Sequence, residues 1–375
     1  MDFSFNEIQL DVQKLANQIL QDQSTTERLN KIDEQEDRFD KELWAQLAEA
    51  GLLGVAFSEE NGGMGLGFME LSLLVEEVGR TVAAAPVVPT VVSAGLPIQA
   101  FGTAEQKARL LTPLASGELL VTAALNESQN ECPSTPVTTA VKDGDAFKLS
   151  GTKICVPFAE QSERVLLTAK VGDEVGVFLL NPKASGVTLT RQISTTREPW
   201  YEVVLDSAVV DAADVIMVSG GAAAGIWIMQ RTVTAYCAMQ VGVADAMTKT
   251  TAQFTCEREQ FDVPIGSFQA VQHRAADCFI DTQCLKLVAY QAASILDSGK
   301  DATNEVVIAK IWAGDTGHRV SYAAQHLHGG TGIDKDYHLW RFCLWARQIE
   351  VVLGSSAQLL SVLGQRIAAG EAFAV

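Results

Sequence analysis

The stretch Cys256 to Arg274, CEREQFDVPIGSFQAVQHR, gathers the residues of this chain best suited to chemistry. Arg258 brings an always-charged planar fork, Gln260 and Gln269 bring amides, and Phe261 brings an aromatic ring. Such a set suits a flat, phosphorylated ligand, because a guanidinium fork pairs with phosphate oxygens in a fixed geometry. An Arg-Glu surface pair beside an ordinary turn is the plainer reading of the same residues.

Two helices must hold this corner. Upstream, Ile226, Met229, Val233, Cys237, Val241, Ala244 and Met247 recur at spacings of three and four, a helical stripe that runs into Glu257 and Arg258. Downstream, Pro264 and Gly266 stop that helix, and Ser267 is expected to cap a new one beginning near Phe268. The four side chains are then expected to cluster at one end of two adjacent helices.

A chain of 375 residues is long for one core, so two or three subdomains are expected. Hydrophobic residues at 47% and charged residues at 20% are globular proportions. The formal charge of −18 argues against nucleic acid or an anionic membrane as partner, so an anionic ligand must be held by local positive groups. No apolar run approaches the ~20 residues of a membrane helix, and the acidic, amphipathic start MDFSFNEIQLDVQKL is unlike a signal peptide. A cytoplasmic protein is expected. Cysteines without a CxxC pair read as reduced core thiols, and the histidines have no recognisable metal spacing, so metal catalysis is not expected.

Read in order, the chain is helical in pattern from Asn6 to about Gly117, with helices predicted at Ile8 to Leu20, Lys41 to Gly51, Phe68 to Gly79, Pro89 to Ala100 and Ala104 to Leu114. The loop SEENGGMGLG, Ser58 to Gly67, lacks the strand before it that a dinucleotide-binding loop requires and reads as a turn of the chain. Between about Val121 and Val210 the period changes, β-formers are enriched and turn signals recur at short spacing, which predicts antiparallel strands. Helical periodicity returns after Gly220 and Gly221. The expected α+β architecture is an N-terminal helical domain (1–119), a middle antiparallel β domain (120–218) and a C-terminal helical bundle (219–375).

The run REQFDVPIGSFQAVQH resembles the signature of the acyl-CoA dehydrogenase family, flavoproteins that oxidise an acyl-CoA to its enoyl-CoA. DGDAFKLSGTK (Asp143 to Lys153) is similar to the family's central hairpin, and AAQHLHGGTGI (Ala323 to Ile333) to its late glycine motif. The order of domains agrees as well. The resemblance implies FAD lying at a subunit interface, an acyl-CoA substrate and at least a dimer. It implies that Arg258 holds the FAD diphosphate, with Gln260, Phe261, Gln269, His326, Gly329 and Gly330 as further contacts. His326 stands where the family usually has glutamine, and Asp262 where it usually has glycine.

The redox half departs from the family. Its TEPxxGSD-like loop reads NESQNECP here (Asn126 to Pro133), and the tryptophan and threonine that follow its hairpin are Cys155 and Pro157. Proline has neither a hydroxyl nor a backbone donor to offer a flavin ring. The base that removes the acyl α-proton must be a carboxylate within reach, yet Leu353 and Thr232 occupy the two family positions for it. Glu350, one turn before Leu353, is the nearby carboxylate, and a solvated helix charge is its plainer role.

Three functions remain in view. The chain is an active homo-oligomeric dehydrogenase with Glu350 or another acid as base; or a base-lacking subunit of a heteromer, similar to those of steroid side-chain dehydrogenases, lending a diphosphate half-site to a second acyl-CoA dehydrogenase chain; or a flavin-free scaffold or acyl-CoA-binding protein. Kept diphosphate contacts together with lost ring contacts fit the second best.

Overall fold

The structure is a computed structural model and describes residues 4–371. Helices α1 (Glu7–Gln23), α2 (Thr26–Asp33), α3 (Lys41–Glu49), α4 (Phe68–Thr81), α5 (Leu96–Phe101) and α6 (Ala104–Ala115) form the first unit. Asn6, Thr25, Asp40 and Thr103 cap four of them through side-chain oxygens that accept backbone N–H groups. The expected helix from Pro89 differs: Val88–Gly95 is a π-helical turn leading into α5, with the Leu96 N–H bonded back to Val91. Such a turn redirects side chains locally, and here Pro89 and Ser93 face the interior described below. The Ser58 to Gly67 loop folds back on Gly54 and Val55 through backbone hydrogen bonds, as a structural turn.

The middle unit is a sheet in the order β7-β8-β4-β3-β5-β6-β9, with β1 beside β5 and β2 beside β4. Its strands are β1 (Val121–Ala124), β2 (Asn126–Glu127), β3 (Thr139–Asp143), β4 (Ala146–Pro157), β5 (Arg164–Val171), β6 (Glu174–Leu180), β7 (Val187–Ile193), β8 (Pro199–Val210) and β9 (Val215–Met217). The antiparallel expectation needs correction, because β5 pairs in parallel with β1 and, at Thr139 and Lys170, with β3, so the sheet is mixed. All of β1 is buried, as a strand covered on both faces requires. Strand β4 runs unbroken through Gly151, with irregular pairing to β8 on either side of Gly151–Lys153.

The last unit contains α7 (Gly221–Glu257), the hairpin β10 (Glu259–Gln260) and β11 (Val263–Pro264), α8 (Gln269–Asp297), α9 (Thr303–His328), α10 (Leu339–Val351) and α11 (Ser356–Ala368). Helix α7 is the spine. Its Val233, Cys237, Val241, Ala244 and Met247 are buried as the periodicity predicts, while Ile226 is exposed and lies at the edge of a cavity. It crosses α4 in close contact, because Gly79 and Gly242 lack the Cβ that would collide with backbone of the opposite helix. One hydrophobic core runs through both helical units, and a second fills the interior of the sheet.

Candidate functional site

The residues singled out in the sequence fall in two places on the molecule, and the two differ in character. The first is the corner after α7. The helix ends at Glu257, and the Arg258 N–H still bonds to Phe254 O. The Ile265 N–H then donates to Arg258 O, closing a two-residue hairpin whose tip is Phe261 and Asp262. Both tip residues have left-handed backbone, φ 56° and 64°, the conformation that tight hairpin turns require and that glycine adopts at least cost. This accounts for the glycine the family usually has at Asp262. Ser267 does not cap α8: its hydroxyl donates to Pro264 O at 2.7 Å, and Phe268 occupies the cap position without a side-chain bond. A serine hydroxyl turned back onto its own turn is the local alternative to capping.

The end of α9 is brought to this corner by two contacts. Phe254 stacks on His328 with ring centroids 4.1 Å apart, and Arg274 on α8 donates to His326 Nδ1. His328 is itself fixed by bonds to Ala324 O and the Tyr337 hydroxyl. Arg258, Gln260, Phe261, Gln269, His326, Gly329 and Gly330 are all exposed, Phe261 by 87% of its surface. Gly329 adopts φ 59°, and a Cβ built on either Gly329 or Gly330 would meet no atom within 4 Å. The corner is open, and it presents the Arg258 guanidinium and the Gln260 and Gln269 amides, donors of the kind a diphosphate takes, alongside the exposed carboxylates of Glu257, Glu259 and Asp262.

The second place is the crevice between the sheet, the π-helical turn and α7. It brings together the substituted positions singled out in the sequence: Cys155, Pro157, Thr232 and Leu353, joined by Trp200 and Tyr236. The space they leave is about 30 Å³, room for no more than a few waters. Thr232 is buried and donates to the Ser93 hydroxyl at 3.1 Å. Leu353 is buried in a left-handed conformation, φ 55°. No carboxylate is among the residues lining the crevice. Glu350 belongs to a different surface: it accepts from Arg347 at 2.8 Å and pairs with His318 at 3.2 Å. An isoalloxazine ring does not fit this crevice as it stands. Leu353 also walls an apolar cavity of about 160 Å³ on its other side, between α7 and α9.

Three buried charged groups, Glu127, Lys153 and Lys310, hold the walls. Glu127, in the divergent NESQNECP loop, accepts from Lys153 Nζ at 2.8 Å and from the N–H groups of Val137 and Thr138. Burial raises the Glu127 pKa, but the charge and hydrogen bond of Lys153 with the Thr138 and Val137 donors outweigh it and hold the carboxyl down at about 2. Lys310 on α9 donates to the carbonyls of Ile349, Glu350 and Gly354, capping α10 and fixing the turn that carries Leu353. Burial depresses its pKa to about 8. The available signal was a lysine alone in each apolar pattern, KICV and VVIAKIWAG.

Among the described residues, no helix is long and apolar enough to cross a membrane, and no cluster of metal-ligating side chains is present. Residues 6–118 match the acyl-CoA dehydrogenase N-terminal domain, and residues 220–368 match the C-terminal domain. Acyl-CoA dehydrogenase FadE27 of Mycobacterium tuberculosis is 33% identical over 98% of this chain and 99% of its own. Among solved structures, a Tcur3481-Tcur3483 steroid acyl-CoA dehydrogenase variant is similar at 39% identity and TM-score 0.91, covering 98% of this chain and 99% of that one. The ChsE4-ChsE5 complex of Mycobacterium tuberculosis gives 33% identity and TM-score 0.93 over 98% of this chain and 99% of that one. With both terminal domains matched and full-length relatives above 30% identity, the chain belongs to the acyl-CoA dehydrogenase family, whose cofactor is FAD.

Proposed function

We propose that this chain is the base-lacking subunit of a heteromeric acyl-CoA dehydrogenase, lending Arg258 and its neighbours to the diphosphate of an FAD whose ring and base lie on a partner chain. One observation carries the reading: the same chain has an open corner that presents the Arg258 guanidinium and a crevice closed to about 30 Å³ by Cys155, Pro157, Thr232, Leu353 and their neighbours. FAD, when bound, accepts the hydride from the acyl β-carbon. This chain's contribution is to bind and orient. Arg258 offers two parallel N–H donors to phosphate oxygens, Gln260 and Gln269 offer amides, and Gly329 and Gly330 leave room for close approach of the backbone. Leu353 and Thr232 can take no proton, so the α-proton must go to a carboxylate of the partner. A steroid side-chain CoA thioester is the substrate class favoured by the steroid and heteromeric relatives.

An active homo-oligomer using Glu350 finds no support in the geometry, since that carboxylate is engaged by Arg347 and His318. The test is the visible spectrum of the purified chain, alone and co-purified with a second acyl-CoA dehydrogenase chain. A colourless lone chain that becomes yellow in a mixed oligomer, with flavin content lowered by Arg258→Ala, is the expected result. Flavin bands in the lone chain that bleach anaerobically with an acyl-CoA overturn it in favour of the homo-oligomer. Flavin occupancy unchanged by Arg258→Ala removes the shared half-site.

A further inference from the structure

We infer that Arg274 sets the ring tautomer of His326, so that His326 offers an Nε2–H donor at the flavin corner. The inference rests on the diphosphate reading above and names a residue that reading does not contain. A guanidinium carries donors only. Its Nη1 lies 2.5 Å from His326 Nδ1, so Nδ1 must supply a lone pair. In a neutral imidazole the single ring proton is then on Nε2. No other hydrogen bond to the exposed His326 ring is made by the described residues, so the Nε2–H has no partner within them.

Arg274 is held for this task from below. Its guanidinium lies over the Tyr322 ring, 6.0 Å from the centroid, and Tyr322 is on α9 one turn before His326. The contact therefore joins α8 to the last turn of α9, immediately before Gly329 and Gly330. Glutamine, the family's usual residue here, carries an N–H donor whatever its surroundings. Histidine has two tautomers, and only one presents a donor at Nε2. Arg274 is thus a positioning residue that makes histidine serve where glutamine would.

The test is a two-by-two comparison in the mixed oligomer, reading FAD retention. Arg274→Ala alone is expected to weaken FAD binding roughly tenfold, the scale of one hydrogen bond to a charged group. In the His326→Gln background the same change is expected to have no further effect. Equal weakening in both backgrounds overturns the inference, because Arg274 would then act directly as a phosphate-binding charge; no weakening in either overturns it as well. Arg258→Ala serves as the control that separates the two readings: if it leaves flavin unchanged, the half-site itself fails. A second readout needs neither flavin nor variant. Nitrogen NMR of the histidine-labelled wild-type chain should find the His326 proton on Nε2, and a proton on Nδ1 overturns the inference whatever the flavin result.

Discussion

Lys310 Nζ donates to Gly354 O over 2.8 Å, tying the middle of α9 to the turn that presents Leu353. The same ammonium bonds to Ile349 O and Glu350 O, so all three of its protons are used. The turn needs this support. Leu353 has left-handed backbone at φ 55°, a conformation that costs a non-glycine residue about 1 kcal/mol or more unless its surroundings enforce it.

Lys310→Met should therefore destabilise the protein by about 2–4 kcal/mol, because three carbonyls lose a charged donor inside the protein. A pH dependence follows from its depressed pKa. Between about 8 and the ordinary 10.5 the unfolded chain holds a proton that the folded chain has released, so this group adds to stability as pH rises through that window. Thermal unfolding of wild type and Lys310→Met at pH 7.5, 9 and 10 checks the sign. The gap between them should widen with pH, and a gap that narrows contradicts the burial argument.

Glu127 and Lys153 make a prediction of the same sign at the acid end. With the carboxyl held at about 2 against an ordinary 4.5, its contribution is complete above 4.5 and is lost as pH falls towards 2, on the order of 3 kcal/mol in all. Glu127→Gln should flatten the acid limb of the stability curve. Lys153→Met alone should cost more than the Glu127→Leu/Lys153→Met pair, since it strands a buried carboxylate. Circular dichroism across an acid titration of the four proteins measures both effects.

The division into helical, β and helical units was legible because periods of 3.6 and 2 persist over long stretches, as in α7 and β8. The corner that carries Arg258 and Gln269 was legible because helix end, turn and helix start lie in one local motif. The parallel pairing of β1 was not, since its partner β5 lies beyond the whole β2–β4 excursion. Ser267 misled because a hydroxyl next to a helix start can equally bond back to its own turn. Arg274, Lys310 and the Glu127–Lys153 pair escaped for one reason: each acts on a residue far away in sequence, 52 positions for Arg274 and His326. The closure of the crevice is likewise collective, since Cys155, Pro157, Thr232 and Leu353 come from four separate segments.

Restoring the carboxylate alone should not restore a catalytic centre in this chain. Leu353→Glu returns an acid to the position the family uses, but the crevice leaves about 30 Å³, no charged side chain lines it, and the nearby Lys310 is already spent on three carbonyls. A carboxylate pointing into the crevice would be desolvated and pushed towards its neutral form, costing several kcal/mol in stability. Cys155 and Pro157 would still wall the crevice. In the mixed oligomer, Leu353→Glu should leave the flavin stoichiometry and the turnover of an acyl-CoA with an artificial electron acceptor no higher than wild type, while lowering the unfolding temperature. A gain of flavin or of turnover from this single change would mean that the crevice opens in solution to admit ring and substrate, and that this chain differs from an active dehydrogenase by its base alone.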